Sequence, residues 1–239
     1  MLRGSEFSHS CSRDGIILGS ADELAGVHAG PVSADFQFRC AFSGKTGREA
    51  TLLDIDWSYE GLRGAIQNGN GLAGTIEFFP EEGKYHMDGH RKCNLCLTPM
   101  ETETYQGKCP VCGRKITIGV SHRIEQLADR AEGFVKEGAN GFESLVPLPE
   151  VISACVGVSS RSKKVQKEYE QMLRMIGPEF EILRTVPLEE IRQKSGFLIA
   201  EGIERLRNGE VERIPGFDGE YGTIKLFQPY ELEEVDRQR

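Results

Sequence analysis

Cys93-Asn94-Leu95-Cys96 and Cys109-Pro110-Val111-Cys112 decide how this chain is read. Four of its seven cysteines fall in these two Cys-x-x-Cys pairs, with twelve residues between the pairs. Two thiolates separated by two residues on a tight turn grip one edge of a tetrahedron, the arrangement Zn²⁺ prefers. Gly113 follows the second pair, and a glycine there lets the turn take positive φ and aim backbone N–H groups at sulfur. A thioredoxin-like redox pair is the competing reading, but two such pairs this close favour metal. The spacing predicts a Cys₄ zinc ribbon held by Cys93, Cys96, Cys109 and Cys112. With sulfur in all four positions no site stays open for water, so this zinc is expected to hold a fold and do no chemistry.

A length of 239 residues leaves room for one or two domains. Charged residues at 28% and a mean hydropathy of −0.38 describe a soluble protein. No apolar run approaches the roughly 18 residues that span a bilayer, and no secretory signal opens the chain, so no membrane is expected. Reduced cysteines held by metal suit a cytoplasmic location. Cys11, Cys40 and Cys155 are scattered and read as small buried hydrophobes or bystanders. A net charge of −8 opposes whole-surface attraction to nucleic acid but leaves room for a local basic patch. Arg91-Lys92, Lys108, Arg114-Lys115 and Arg123 gather around the cysteines, and Arg161, Lys163, Lys164 and Lys167 form a second group. Each group alone reads as a solvated face.

Outward from the cysteines, periodicity predicts an α+β chain. Residues 58–68 form a helix with Ser58 as N-cap, and 74–79 a strand stopped by Pro80. A helix over 121–130 follows the ribbon. The last hundred residues are mostly helical, over 147–155 (with Pro149 in the first turn), 165–176, 187–193 and 197–206. Two short strands, 211–214 and 223–227, flank a Gly-rich turn. Residues 1–42 carry no usable pattern. Met1-Leu2-Arg3-Gly4-Ser5-Glu6-Phe7 resembles a cloning scar, because Gly-Ser and Glu-Phe are what two common restriction sites encode.

Three further stretches could meet a ligand. Pro80-Glu81-Glu82-Gly83-Lys84-Tyr85-His86-Met87-Asp88-Gly89-His90 reads as a phosphate- or base-contacting loop rather than a second metal site, since its glycines oppose a helix that would align His86 with His90. The turn before Lys163 and Lys164 opens a helix whose free N–H groups suit a phosphate, against the equal reading of an ordinary hairpin. The turn within 212–224 lacks a Walker lysine and reads as a β-turn packing Phe217 and Tyr221.

Thr75-Ile76-Glu77-Phe78-Phe79-Pro80-Glu81-Glu82-Gly83-Lys84-Tyr85-His86 and Asp88-Gly89-His90-Arg91-Lys92-Cys93, with the two Cys pairs, resemble the endonuclease Q family. Gly44-Lys45-Thr46-Gly47-Arg48-Glu49-Ala50 and Pro215-Gly216-Phe217-Asp218-Gly219-Glu220-Tyr221-Gly222 are also similar to it, so the likeness spans about residues 43–227. Members join a metal-holding PHP barrel to a zinc domain and a helical C-terminal region, and cleave DNA beside deaminated bases such as uracil and hypoxanthine. Related sequences occur fused to UvrD-type helicases. The PHP ligand motifs His-x-His and Asp-x-His are absent from residues 1–42, and Arg39-Cys40-Ala41-Phe42-Ser43 stands where the family has Asp-x-His-Ser.

The resemblance implies the following organisation. Residues 1–42 are unassigned, vector-derived or frame-shifted; 43–84 end a PHP-like domain; 85–130 bind zinc; 131–239 form a helical C-terminal domain with a helical hairpin. The expected architecture is a Cys₄ zinc ribbon between a short remnant of a PHP-type α/β barrel and a mostly helical domain. The expected function is that of a DNA-binding, zinc-containing C-terminal part of a deaminated-base endonuclease, not catalytic alone. A PHP polypeptide or a helicase is the implied partner, and a zinc-ribbon adaptor for such a helicase is the alternative. Arg91, Lys92, Arg114, Lys115, Lys163 and Lys164, with His86 and His90, are the expected DNA contacts.

Overall fold

The computed structural model describes residues 49–131 and 133–232. The readings of residues 1–42, of Gly44-Lys45-Thr46-Gly47-Arg48 and of Met1 to Phe7 lie outside these. Strand β1 (Ala50–Leu53) leads to helix α1 (Tyr59–Asn68), which starts where Ser58 Oγ accepts the Gly61 N–H at 3.0 Å and ends at Gly69 with φ 74°. Strand β2 (Leu72–Glu77) returns antiparallel to β1, and Pro80–Glu82 then makes one 3₁₀ turn.

An excursion follows before the sheet resumes. It contains the hairpin of β3 (Asp88–His90) and β4 (Leu95–Leu97), helix α2 (Pro99–Thr104) and helix α3 (Val120–Leu127). Strand β5 (Gly141–Ser144) then pairs parallel to β2, giving the order β1-β2-β5.

The remaining helices repeat apolar residues at helical spacing. In α4 (Leu148–Val156) these are Leu148, Val151, Ile152 and Cys155. Helix α5 (Lys163–Met175), capped by Ser162, buries Val165 and Met172. Helices α6 (Glu179–Arg184) and α7 (Leu188–Ser195) add Ile182, Leu183 and Ile191, and α8 (Phe197–Asn208) adds Ile199, Ile203 and Leu206. Ile76 and Phe79 join the same core, so the sheet and the helices are buried against one another. Strands β6 (Glu212–Ile214) and β7 (Thr223–Lys225) form a last antiparallel pair. The result is a mixed α/β architecture with small sheets. Among the described residues no helix is long and apolar enough to cross a membrane.

Met172 is fully buried between α5 and its neighbours. Met172→Ala should cost about 2–5 kcal/mol of stability, read as a lower urea midpoint with unchanged slope.

Candidate functional site

Two tight turns build the site. His90 ends β3, and the 3₁₀ turn Arg91–Cys93 closes with the Asn94 N–H donating to the Arg91 carbonyl at 2.9 Å. Cys109 to Cys112 form the second turn, closed by the Gly113 N–H to the Cys109 carbonyl at 2.8 Å. The residue after each turn is left-handed, Asn94 at φ 48° and Gly113 at φ 72°, and these are two residue types that tolerate that region. The turns bring His90, Cys93, Cys109 and Cys112 together, with one donor atom from each lying within 4.8 Å of all the others. His90 Nδ1 stands 3.5 Å from Cys112 Sγ. A tetrahedral ion bound about 2.3 Å from sulfur and about 2.0 Å from nitrogen spaces its donors by roughly 3.5–3.8 Å, so the group fits a metal ion after a small contraction.

Cys96, the fourth cysteine of the expected set, is not in this group. It sits in the middle of β4 opposite Gly89. Strand alternation turns Leu95 and Leu97 towards Cys109 and Ile116 and leaves Cys96 exposed. Partial desolvation of its sulfur, with Glu101 and Asp88 nearby, raises its thiol pKa, as burial and the neighbouring Cys112 and Cys109 side chains raise that of Cys93, to about 11. His90 takes its place. At Cys109, burial pushes the thiol up, but N–H groups of Cys112 and Val111, with the Cys112 and His90 side chains, outweigh it and bring the pKa to about 7. Asp88, fully buried, accepts the Gly119 N–H at 2.7 Å and meets His122 Nδ1 at 2.6 Å, fixing β3 to the start of α3.

A second loop, distant in sequence, interlocks with residues 80–91. The N–H groups of Gly216, Gly219 and Gly222 donate to the carbonyls of Glu81, Lys84 and Glu82 at 2.8, 2.8 and 3.0 Å, and the Met87 N–H donates to the Gly216 carbonyl at 3.0 Å. A Cβ on Gly222 would overlap the Glu81 carbonyl oxygen, and one on Gly216 that of Gly83. Asp218 accepts the Arg91 N–H and the Thr117 hydroxyl, each at 2.6 Å, and Arg91 Nε donates to Glu220 at 2.9 Å. Phe217 packs on Gly89, but Tyr221 is 67% exposed, so the turn packs one of its two aromatic rings and not both.

Arg91, Lys92, Arg114 and Lys115 are exposed beside the two turns, and Lys163 and Lys164 are exposed in the first turn of α5. His86 and His90 are only 8% and 9% exposed, unlike the lysines and arginines expected beside them. His90 faces the cysteines. Burial lowers the pKa of His86 against the opposing effect of Glu81, favouring a neutral imidazole. A cleft of about 490 Å³ beside Phe79 was not expected from sequence; its Arg184, Arg207 and Arg213 already pair with Glu143, with three carbonyls of α6 and the turn after it, and with Glu81.

Residues 147–210 match the family described as the MJ0043 C-terminal domain. MJ0043 of Methanocaldococcus jannaschii is 31% identical over 195 residues, which cover 79% of this chain and 24% of that protein. YqxK of Bacillus subtilis is 26% identical over 186 residues, covering 76% of this chain and 44% of that one. The lesion-specific endonuclease PfuEndoQ from Pyrococcus furiosus superposes with a TM-score of 0.68 and 29% identity, over 79% of this chain and 48% of that one. An endonuclease Q in complex with a 27-mer duplex substrate carrying an abasic lesion at the active site superposes with a TM-score of 0.66 and 31% identity, over 78% and 47%. The chain therefore spans about a quarter of MJ0043 and just under half of each solved endonuclease Q chain. Over that span its fold is endonuclease Q-like.

Proposed function

We propose that this chain is a zinc-containing, DNA-binding part of an endonuclease Q-like repair protein, directed at duplexes with deaminated bases such as uracil or hypoxanthine. The observation that carries this reading is its likeness to an endonuclease Q held on a lesion-bearing duplex, at 31% identity over 78% of the chain. The ion is Zn²⁺, because one imidazole and three thiolates are the donors it prefers. Four protein ligands leave no position for an activated water, so the ion is structural. On this reading residues 43–84 end a PHP-like domain, 85–130 are the zinc unit and 131–239 the helical domain. Hydrolysis on this reading requires PHP-type metal ligands, which the described residues do not supply. The zinc-loaded chain alone should not nick uracil-containing duplex; metal-dependent nicking abolished by a substitution in this chain would contradict that.

Arg91, Lys92, Arg114 and Lys115 supply phosphate contacts beside the rigid turns. Lys163 and Lys164 add charge where the first N–H groups of α5 lack helical partners. Replacing Lys163 and Lys164 together with alanine should weaken binding to all DNA sequences alike. It should also reduce the salt slope by up to about 1.8, at about 0.9 per phosphate contact. Equal affinity of the double variant and the parent at low salt would overturn this placement.

One observation favours a second reading, an adaptor docking a protein such as a UvrD-type helicase. Tyr59, Leu62 and Ile66 expose an apolar stripe on α1 next to fully exposed Trp57. A salt-insensitive protein contact without DNA binding would decide for it.

A further inference from the structure

We propose that the cleft beside Phe79 is a binding site for a phosphomonoester, with Arg207 as its anchor. The site is separate from the basic residues assigned to DNA and stands without that reading. The cleft holds about 490 Å³ and lies between β5 and the C-terminal ends of α6 and α8. The guanidinium groups of Arg184, Arg207 and Arg213 line it, against the one carboxylate of Glu143. Each guanidinium is already held in place by the protein. Arg184 Nε and Nη2 donate to the two oxygens of Glu143 at 2.6 and 2.7 Å. Arg213 lies over the Phe79 ring, 5.2 Å from its centre, and donates to Glu81 through Nη1 at 3.2 Å. Arg207 donates from Nε and Nη2 to the carbonyls of Leu183, Ile182 and Val186.

One positive charge in the cleft has no counter-ion. Arg184 and Arg213 each meet a carboxylate, but the partners of Arg207 are neutral carbonyls, which satisfy its donors and not its charge. Glu204, on the same helix, acts on Arg207 only at a distance, and burial lowers the arginine's pKa. The Nη1 groups of Arg207 and Arg184 make no hydrogen bond among the described residues. A partly desolvated cation with unused donors gains more from a fixed anion than an exposed lysine does. Shape then selects the anion. Donors from three side chains match a phosphate attached at one corner, which keeps three free oxygens. A phosphodiester or a carboxylate presents two. Because the arginines are fixed beforehand, binding costs little side-chain entropy. Phe142 and Leu206 give the organic part of the ester an apolar wall. A small phosphate ester and the phosphorylated end of a nucleic-acid strand share this chemistry.

The test is calorimetric titration of the whole zinc-loaded chain, at low salt and near neutral pH, with methyl phosphate, dimethyl phosphate and acetate. Methyl phosphate should bind, and the other two should bind at least about tenfold more weakly. Asn208, which also lines the cleft, bonds none of the three arginines. Asn208→Asp should weaken methyl phosphate binding at least about tenfold and leave the thermal midpoint of the ligand-free chain nearly unchanged. Arg207→Gln should abolish binding; should loss of its carbonyl bonds unfold that variant, Asn208→Asp still decides. No binding of methyl phosphate at millimolar concentration overturns the site. So does equal affinity for the three anions, or an unchanged affinity in Asn208→Asp. A DNA strand with a terminal phosphate, and its unphosphorylated twin, then compete with methyl phosphate. Displacement by the phosphorylated strand alone assigns the site to strand ends, and displacement by neither assigns it to a small phosphate ester; both uphold it. Equal displacement by both strands shows a backbone contact and overturns the phosphomonoester assignment.

Discussion

On the zinc reading proposed above, chelation should unfold residues 88–118, and single substitutions at His90, Cys93, Cys109 or Cys112 should drop the metal content well below one ion per chain. Structural zinc sites in small folds contribute roughly 10–16 kcal/mol of apparent binding energy near neutral pH, which couples directly to folding. The local core here is small, with Leu97, Cys109 and Ile116 its only fully buried members among the described residues, so little else can hold the two turns together. Cys96→Ser should keep the full metal content, because Cys96 is exposed on β4 and outside the donor group. Elemental analysis after gel filtration reads all five variants. If Cys96→Ser lost the ion and His90→Ala kept it, the four-cysteine arrangement would be right after all.

Gly222→Ala should cost about 3 kcal/mol of stability although it adds a single methyl group. Its Cβ would overlap the Glu81 carbonyl oxygen, a backbone atom that cannot rotate away. Relief requires the loops to separate, which breaks the Gly222–Glu82 and Gly216–Glu81 hydrogen bonds and draws Asp218 off the Arg91 N–H. Thermal unfolding should show a Tm lower by several degrees, and amide exchange should rise at Met87 and Arg91. A Tm unchanged from the parent would show that the loops are not locked as described.

Long-period signals were legible in the sequence and short ones in part: the strands read over 74–79, 211–214 and 223–227 overlap β2, β6 and β7. The helices that became α1, α4, α5, α7 and α8 follow from apolar spacing and caps such as Ser58, with ends displaced by three residues or fewer. Strands β1, β3 and β5 have three or four residues each, too few for alternation to stand out. Helix α2 did carry a signal, the Thr98–Glu101 capping box, in which each side chain bonds the other's backbone N–H. Of the group His90, Cys93, Cys109 and Cys112, three members stood out in the sequence. Cysteine spacing marks the second turn, but His90-x-x-Cys93 repeats the interval of Cys109-x-x-Cys112 and is followed by Asn94, a residue at ease in the left-handed region. The meeting of residues 80–91 with 215–222 depends on packing between distant segments and left no local trace. The same packing puts Tyr221 on the surface, against the expectation that it would be covered.

The most direct test is equilibrium binding of the zinc-loaded chain to a uracil-containing duplex across a range of salt concentrations. Binding should be tighter than to the undamaged duplex, and the logarithm of the association constant should fall linearly with the logarithm of salt, by about 0.9 for each phosphate neutralised. No binding at low salt, or affinity independent of salt and of uracil, would contradict the DNA-binding assignment.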